Sequence, residues 1–229
     1  MTFIRKSLYL GVVISLLAYL FGIWLKKKTG WAILNPLLVA VVVVIGALQL
    51  FRIDYPVYNY SAKYISYLLT PATICLAIPL YRQMEVLKRN LAAVMIAILS
   101  GVAASAATIY ILCLAFNLEH VHYVTLLPKS ITTAIGMGVS QEAGGIVTIT
   151  VVSIMITGIS GNIFAETIFK LLNISHPIAR GLALGTSAHA VGTAKALELG
   201  ELEGAMSSLA IAVSGLLTVV IVPLVFGLI

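Results

Sequence analysis

Charge is scarce in this chain, and acid scarcest of all: its 229 residues hold only 8 Asp and Glu against 14 Lys and Arg, while 61% are apolar. Soluble domains carry about 25% charged residues. With 10% here and a mean hydropathy of +1.09, no water-soluble fold could hide the apolar side chains. The net charge of +6 needs no nucleic acid to explain it, because Lys and Arg concentrate in the short cytoplasmic loops of membrane proteins. Cysteine is nearly missing too. Cys75 and Cys113 stand inside apolar runs, where a free thiol packs as a small hydrophobe, so neither a disulfide nor a metal site is expected. There is no HExxH, no G-x-S-x-G and no phosphate-binding glycine loop, so neither an enzyme nor a cofactor is expected. Without a glycine- or serine-rich linker, residues 1–229 read as a single transmembrane domain.

What the chain does have is long uncharged runs, at 7–25, 32–51, 91–116 and 204–229. Each matches the roughly 20 helical residues that span a bilayer core. They lack the period-2 alternation of barrel strands, which leaves helices. The first run resembles a signal peptide after Arg5 and Lys6, but Lys26, Lys27 and Lys28 stand where a cleavage site belongs, so it reads as a retained helix. Those lysines, together with Arg82, Lys88, Arg89, Lys170 and Arg180, mark the cytoplasmic side, with a crossing over 60–81 and with Glu119, His120 and His122 outside. Arg5 and Lys6 oppose this scheme, which puts the N-terminus outside. Tyr55, Tyr58, Tyr60, Tyr64 and Tyr67 around Pro56 read as an outer interfacial belt. The expected class is all-α, a polytopic membrane protein of about seven transmembrane helices with broken or re-entrant segments, multi-pass in a bacterial cell membrane.

The second half is chemically different. Thr150, Ser153 and Thr157 follow a helical i, i+3, i+7 spacing, and so do Thr186, His189 and Thr193. Beside the second stripe, Gly181, Gly185, Ala188 and Gly192 offer a face for close helix packing. Such stripes serve either as glue between helices or as the lining of a polar cavity, and the added His and Lys point to a cavity. Breaks accompany them: Pro128 precedes Lys129 and Ser130, Gly144-Gly145 interrupts the next run, and Gly158 and Gly161 follow. Irregular backbone at membrane depth is tolerated where it is buried in protein or lines an aqueous cavity. The segment from Leu126 to Thr133 suits a half-helix that presents a cation and hydroxyls to an anion. Residues 123–173 fit either a re-entrant segment plus one long crossing or three short crossings. A weak similarity between 32–116 and 124–229 suits an inverted repeat, and chance similarity between apolar segments explains it as well.

The runs Leu127-Pro128-Lys129-Ser130-Ile131-Thr132-Thr133, Gly144-Gly145-Ile146, Ile178 to Ala194 and Ala196 to Ala205 resemble the LrgB/CidB family of holin-like auxiliary membrane proteins. Leu34-Asn35-Pro36-Leu37 and Ala77-Ile78-Pro79-Leu80-Tyr81 extend the resemblance over nearly the whole chain. Two departures stand out: Ala134 replaces the usual proline after the paired threonines, and Ser187-Ala188-His189-Ala190 reorders the usual Ala-Ser-His-Gly. The resemblance implies one of two functions. One is transport of small monocarboxylates of the pyruvate, lactate or glycolate class, as in bacterial pyruvate carriers and the plastid glycolate/glycerate translocator. The other is holin- or antiholin-like control of murein hydrolase activity and autolysis, without transport of its own. It also implies a small LrgA/CidA-like membrane partner and a homo-oligomer. Buried cations and broken helices favour transport. Lys129 is then expected to meet the carboxylate, unless it snorkels to the outer interface. Ser130, Thr133 and Thr186 are expected to hydrogen-bond the carboxylate, and His189 to read the 2-oxo or 2-hydroxyl group or carry a proton. Thr132, Thr193 and Asn35 complete the expected binding set.

Overall fold

Every regular element in the structure, a computed structural model that describes residues 9–31, 34–75 and 77–229, is helical. Arg5 and Lys6 lie outside the described residues. Four helices are long and apolar enough to cross a membrane: α1 (Leu10–Thr29), α7 (Leu91–Ala115), α10 (Val147–Leu171) and α12, which as Glu201–Val225 runs on into a short 3-10 turn. Their outward residues, Ile96 on α7 and Leu216 on α12 among them, are large, apolar and about two-thirds exposed, as lipid-facing surface requires. An all-α polytopic membrane protein is therefore what the chain builds.

The described residues form two compact units, meeting in sequence at Cys75 and Leu76. In the first, α1 pairs with the shorter apolar α2 (Pro36–Leu50), and Gly22 packs against the backbone of Pro36. Proline suits the start of α2, where its missing N–H is not needed, and Asn35 caps that end by accepting from the Leu37 N–H at 2.9 Å. Helix α3 (Tyr55–Ser66) returns along the first turns of α1, where Ser61 Oγ accepts from the Gly11 N–H at 2.6 Å and Ser15 Oγ meets the Tyr58 hydroxyl at 2.7 Å. The tyrosine segment thus lies at the opposite end of α1 from Lys26, Lys27 and Lys28, which occupy its last turn.

The crossing expected over 60–81 is interrupted at Tyr67 and Leu68, between the end of α3 and α4 (Leu69–Cys75); α5 (Ala77–Arg82) follows, and Leu76 between them lies outside the described residues. Pro71 explains the interruption, since it removes a backbone donor and clashes with the preceding turn.

The second unit continues through α6 (Met84–Arg89), α7, α8 (His120–Leu126), α9 (Thr133–Glu142), α10, α11 (Pro177–Leu199) and α12. Helices α7 and α12 run side by side in the same direction: Val94 and Ile98 pack with Ala205, Met206 and Ala210 at one end, and Ile109 and Cys113 cluster with Val222 at the other. At the first end Arg82 pairs with Glu201 at 3.6 Å, and at the second a His120 ring nitrogen bonds the Ile229 carbonyl at 2.7 Å.

The ambiguity over 123–173 resolves into a re-entrant hairpin and one long helix. Helix α9 runs antiparallel to α10, with Gly136 beside Ile154 and Ser140 bonded to Thr150, so α8 and α9 dip in from the His120 end and return to it. A second hairpin was not expected. Helix α11 reverses at Ala188 and His189, whose backbones leave the helical region. Gly192 comes to rest against the Leu184 carbonyl, and Leu184 and Ala196 share one apolar cluster with Phe169. The arms 177–187 and 190–199 therefore both open toward the Arg82 end, so the two hairpins enter the unit from opposite ends.

Candidate functional site

The two hairpin tips meet different surroundings. At the outer one, Pro128 ends α8 within the connection to α9, and Lys129 and Ser130 follow it. The Lys129 ammonium donates to Ser130 Oγ at 3.2 Å, and Ser130 Oγ lies 3.1 Å from Ser105 Oγ on α7. Lys129 and Ser130 border an open groove of about 510 Å³, whose other polar lining is Ser105, Thr108, Thr186 and Ser187. Its floor is small: Ala97, Gly101 and Ala104 of α7 face Ala179 and Ala183 of α11. Ser105, Ser130 and Thr186 also line a second, smaller and only partly open cavity of about 20 Å³, to which α12 adds Ser214 and Thr218.

Lys129 is electrostatically exceptional. The second unit holds six other Lys and Arg residues, Arg82, Lys88, Arg89, Lys170, Arg180 and Lys195, and all lie toward the Arg82 end, where both arms of α11 open. Lys195, the deepest of them, is neutralised by Glu166 at 2.6 Å and Glu198 at 3.2 Å. Among the described residues no carboxylate pairs with Lys129. Among the described residues the hydrogen-bond partner of this cation is a hydroxyl, and the groove beside it is open.

The inner tip is buried instead. His189 Nε2–H donates to the Ile154 carbonyl of α10 at 2.9 Å, which fixes the proton on that nitrogen. Gly158 leaves room for the imidazole, Gly161 for Ala188, and Asn162 Nδ2 donates to the Val191 carbonyl at 3.1 Å. His189 has φ +42° and ψ −136°, a conformation that favours glycine, so the surrounding contacts hold it there.

The expected site residues therefore separate. Lys129, Ser130 and Thr186 come together at the groove, whereas His189 faces α10 and lines neither space. Thr193 lies on the return arm, bonded to Ser207 Oγ of α12 at 2.7 Å and to the His189 carbonyl. The single stripe expected from Thr186, His189 and Thr193 is thus divided over two arms by the reversal. Thr132 stands at the N-cap position of α9 without a side-chain capping bond, Thr133 opens the helix, and neither lines the groove or the cavity. Asn35 belongs to the first unit, where it caps α2. Residues that the sequence reading passed over, Ser105, Thr108, Ser187, Ser214 and Thr218, supply the remaining hydroxyls. Two pairs carried a signal: Ser105 and Thr108 are spaced i, i+3, and Ser214 and Thr218 i, i+4, in otherwise apolar helices.

A profile described as the LrgB-like family matches residues 15–228. The chain is similar to "Antiholin-like protein LrgB" of Bacillus mycoides (strain KBAB4), with 39% identity over 217 residues and 94% of each chain covered. Proteins of the same name from Bacillus cereus (strain B4264) and Bacillus anthracis (strain CDC 684 / NRRL 3495) match with the same identity and coverage. No solved structure matches.

Proposed function

We propose that this chain, which belongs to the LrgB-like family, is a membrane carrier of small monocarboxylates of the pyruvate, lactate or glycolate class. The observation that carries the reading is Lys129: an ammonium at the tip of a re-entrant hairpin, bonded to Ser130 and open to a groove lined with hydroxyls. The ammonium takes the carboxylate while Ser130, Ser105 and Thr186 offer hydrogen bonds around it, which satisfies one negative charge and little more. A larger or dianionic ligand finds no second cation in the groove's lining. His189 serves this carrier by position, pinning the inner hairpin to α10 so that Thr186 stays opposite Ser130. The reaction is passage across the membrane without chemical change of the substrate, and no cofactor enters it. A small LrgA/CidA-like membrane protein and a second copy of the chain are its proposed partners.

The name of the relatives supports a second reading, antiholin-like control of murein hydrolase activity with no transport. The two separate in proteoliposomes containing the purified chain, with and without the small partner, and given labelled pyruvate, lactate and glycolate. Uptake that Lys129→Met reduces by about 10- to 100-fold, the scale of a lost hydrogen bond to a charged group, supports the carrier. Lys129→Arg retains part of the uptake with altered selectivity, because the guanidinium keeps the charge but changes the donor geometry. Undiminished uptake by Lys129→Met removes the site, and no uptake under any condition leaves the antiholin-like reading.

A further inference from the structure

We propose that the small, partly open cavity beside Ser130 is the specificity pocket of this site: it receives the substituent on C2 of the carboxylate and accepts a hydrogen bond from it, so that a 2-hydroxy acid is carried ahead of its 2-oxo and unsubstituted counterparts. The inference rests on the carrier reading and adds the chemical basis of its selectivity.

Size comes first. About 20 Å³ is room for one water-sized group, which matches a hydroxyl and excludes a branched or charged substituent. Position follows, because Ser105, Ser130 and Thr186 line both spaces. A carboxylate held by Lys129 beside Ser130 carries its C2 substituent on the adjacent carbon, within reach of that shared lining.

Hydrogen-bond accounting then gives the cavity its preference. Thr186 Oγ1 donates to the Leu182 carbonyl at 2.7 Å, Thr218 Oγ1 to the Ser214 carbonyl at 2.8 Å, and Ser214 Oγ to the Ile211 carbonyl at 3.3 Å. Each hydroxyl has thereby used its proton inside its own helix and turns lone pairs to the cavity. Between Ser105 and Ser130 one further proton is shared. Five hydroxyls thus bring one uncommitted proton and a surplus of acceptors, in a lining that is otherwise apolar, with Val102, Ala106 and Leu127 among it.

A hydroxyl entering this space donates to those lone pairs. An oxo group can accept only the one uncommitted proton and leaves the surplus lone pairs unmet, and a bare methylene satisfies nothing. A metal cation is disfavoured, since no carboxylate lines either space and the Lys129 ammonium lies 3.2 Å from Ser130 Oγ. Sites that hydrogen-bond a substrate hydroxyl reject analogues lacking it far more strongly than apolar pockets reject a missing methylene.

Lactate, pyruvate and propionate share three carbons and one carboxylate and differ only at C2, so uptake of each by the full chain in proteoliposomes tests the assignment. The expected result is that the wild type takes up lactate at least about 10-fold faster than pyruvate or propionate, the scale of one buried hydrogen bond. Thr218→Val keeps the side-chain shape without the hydroxyl and is expected to bring the lactate-to-pyruvate ratio to within about two-fold of unity, with Ser214→Ala acting in the same direction and Thr218→Ser restoring the preference. Ser214→Ala decides the matter should Thr218→Val not fold. Equal uptake of the three acids by the wild type overturns the pocket and leaves the carrier reading standing. A ratio unchanged in both variants does the same. A dependence on external sodium that Thr218→Val weakens, with the ratio unchanged, identifies a cation site instead and also overturns the proposal. Absence of uptake for all three acids in the wild type overturns the carrier reading, and the pocket falls with it.

Discussion

The two hairpins of the second unit enter from opposite ends, reach the same stretch of α10, and use their tips in opposite ways. At the outer one the turn is polar and faces open space, with Lys129 and Ser130 on the groove. Its anchoring lies higher up, where Thr150 Oγ1 of α10 meets Ser140 Oγ at 2.6 Å and the Thr125 carbonyl at 2.9 Å, and the Ile146 N–H donates to Thr125 Oγ1. At the inner one the turn itself is the anchor, with His189 and Ala188 set into Gly158 and Gly161. Ile154 joins the two, its side chain against Gly136 and its carbonyl on His189. Proteins keep irregular backbone inside a membrane only by satisfying it. Here one break is satisfied by protein, and the other by hydroxyls and by whatever the ammonium binds.

Opposite entry is the part of the comparison with an all-or-none outcome. In a background lacking Cys75 and Cys113, a cysteine placed at Glu142, the last residue of α9, is expected to react with an impermeant maleimide on intact cells. One placed at Ser175, before α11, is expected to react only after permeabilisation. Reaction of both on intact cells would mean that α10 does not cross the membrane, and the reverse pattern would invert the orientation of the unit.

The next effect is steric and should strike only the inner tip. A Cβ on Gly161 meets that of Ala188, so Gly161→Val is expected to displace the reversal and cost about 3 kcal/mol or more, at the upper end of overpacking penalties. Gly138, on α9, has open space around it. Gly138→Ala is therefore expected to leave stability unchanged or raise it by up to about 1 kcal/mol, the helix-propensity gain. Thermal unfolding in detergent compares the two, and a similar loss in both would mean that the inner tip is not tightly held.

Smaller still is the cost of loosening the outer anchor. Thr150→Val removes a hydroxyl shared by Ser140 and the Thr125 carbonyl, and hydrogen bonds between membrane helices average about 0.6 kcal/mol with a maximum near 1.7. A loss of about 1 kcal/mol is expected, with uptake falling less than in Lys129→Met. Uptake lost as completely as in Lys129→Met would place Thr150 in the transport step itself.

Much of this was legible in the sequence, and the failures have physical causes. Long uncharged runs gave the helical membrane class, and Pro128 with Gly144-Gly145 gave the outer break, because proline and glycine mark backbone that leaves the helix. The inner reversal carries no such mark. Ala188 and His189 are neither proline nor glycine, and Thr186, His189 and Thr193 keep helical spacing across the turn, so periodicity reads straight through it. Gly192 was legible as a packing residue, but it packs against its own arm, at Leu184. The second half of the site escaped for another reason: Ser105, Ser214 and Thr218 stand in strongly apolar helices, where bonding to the preceding turn, as Ser214 and Thr218 do, is the ordinary role of a hydroxyl. Only the packing of α7 against α11 and α12 brings them to one wall.

The smallest expected effect separates the two hairpin lysines. Lys195 lies on the return arm of α11 and is mostly buried, but its partners Glu166 and Glu198 have side chains 49% and 56% exposed. Pairs reached by water contribute up to about 1 kcal/mol and weaken with salt. Lys195→Met keeps the aliphatic stem and removes the charge, leaving both carboxylates solvated. The expected cost is below about 1 kcal/mol, disappearing as ionic strength rises, with the lactate-to-pyruvate ratio unchanged because no atom of Lys195 borders the groove or the cavity. Lys129 differs on each count: it has no carboxylate partner among the described residues, and its removal is read in uptake rather than in unfolding. A Lys195→Met protein that unfolds readily at all salt concentrations, or that changes selectivity, would mean that the inner hairpin is held at its mouth by charge rather than at its tip by His189, and the contrast between the two breaks would have to be redrawn.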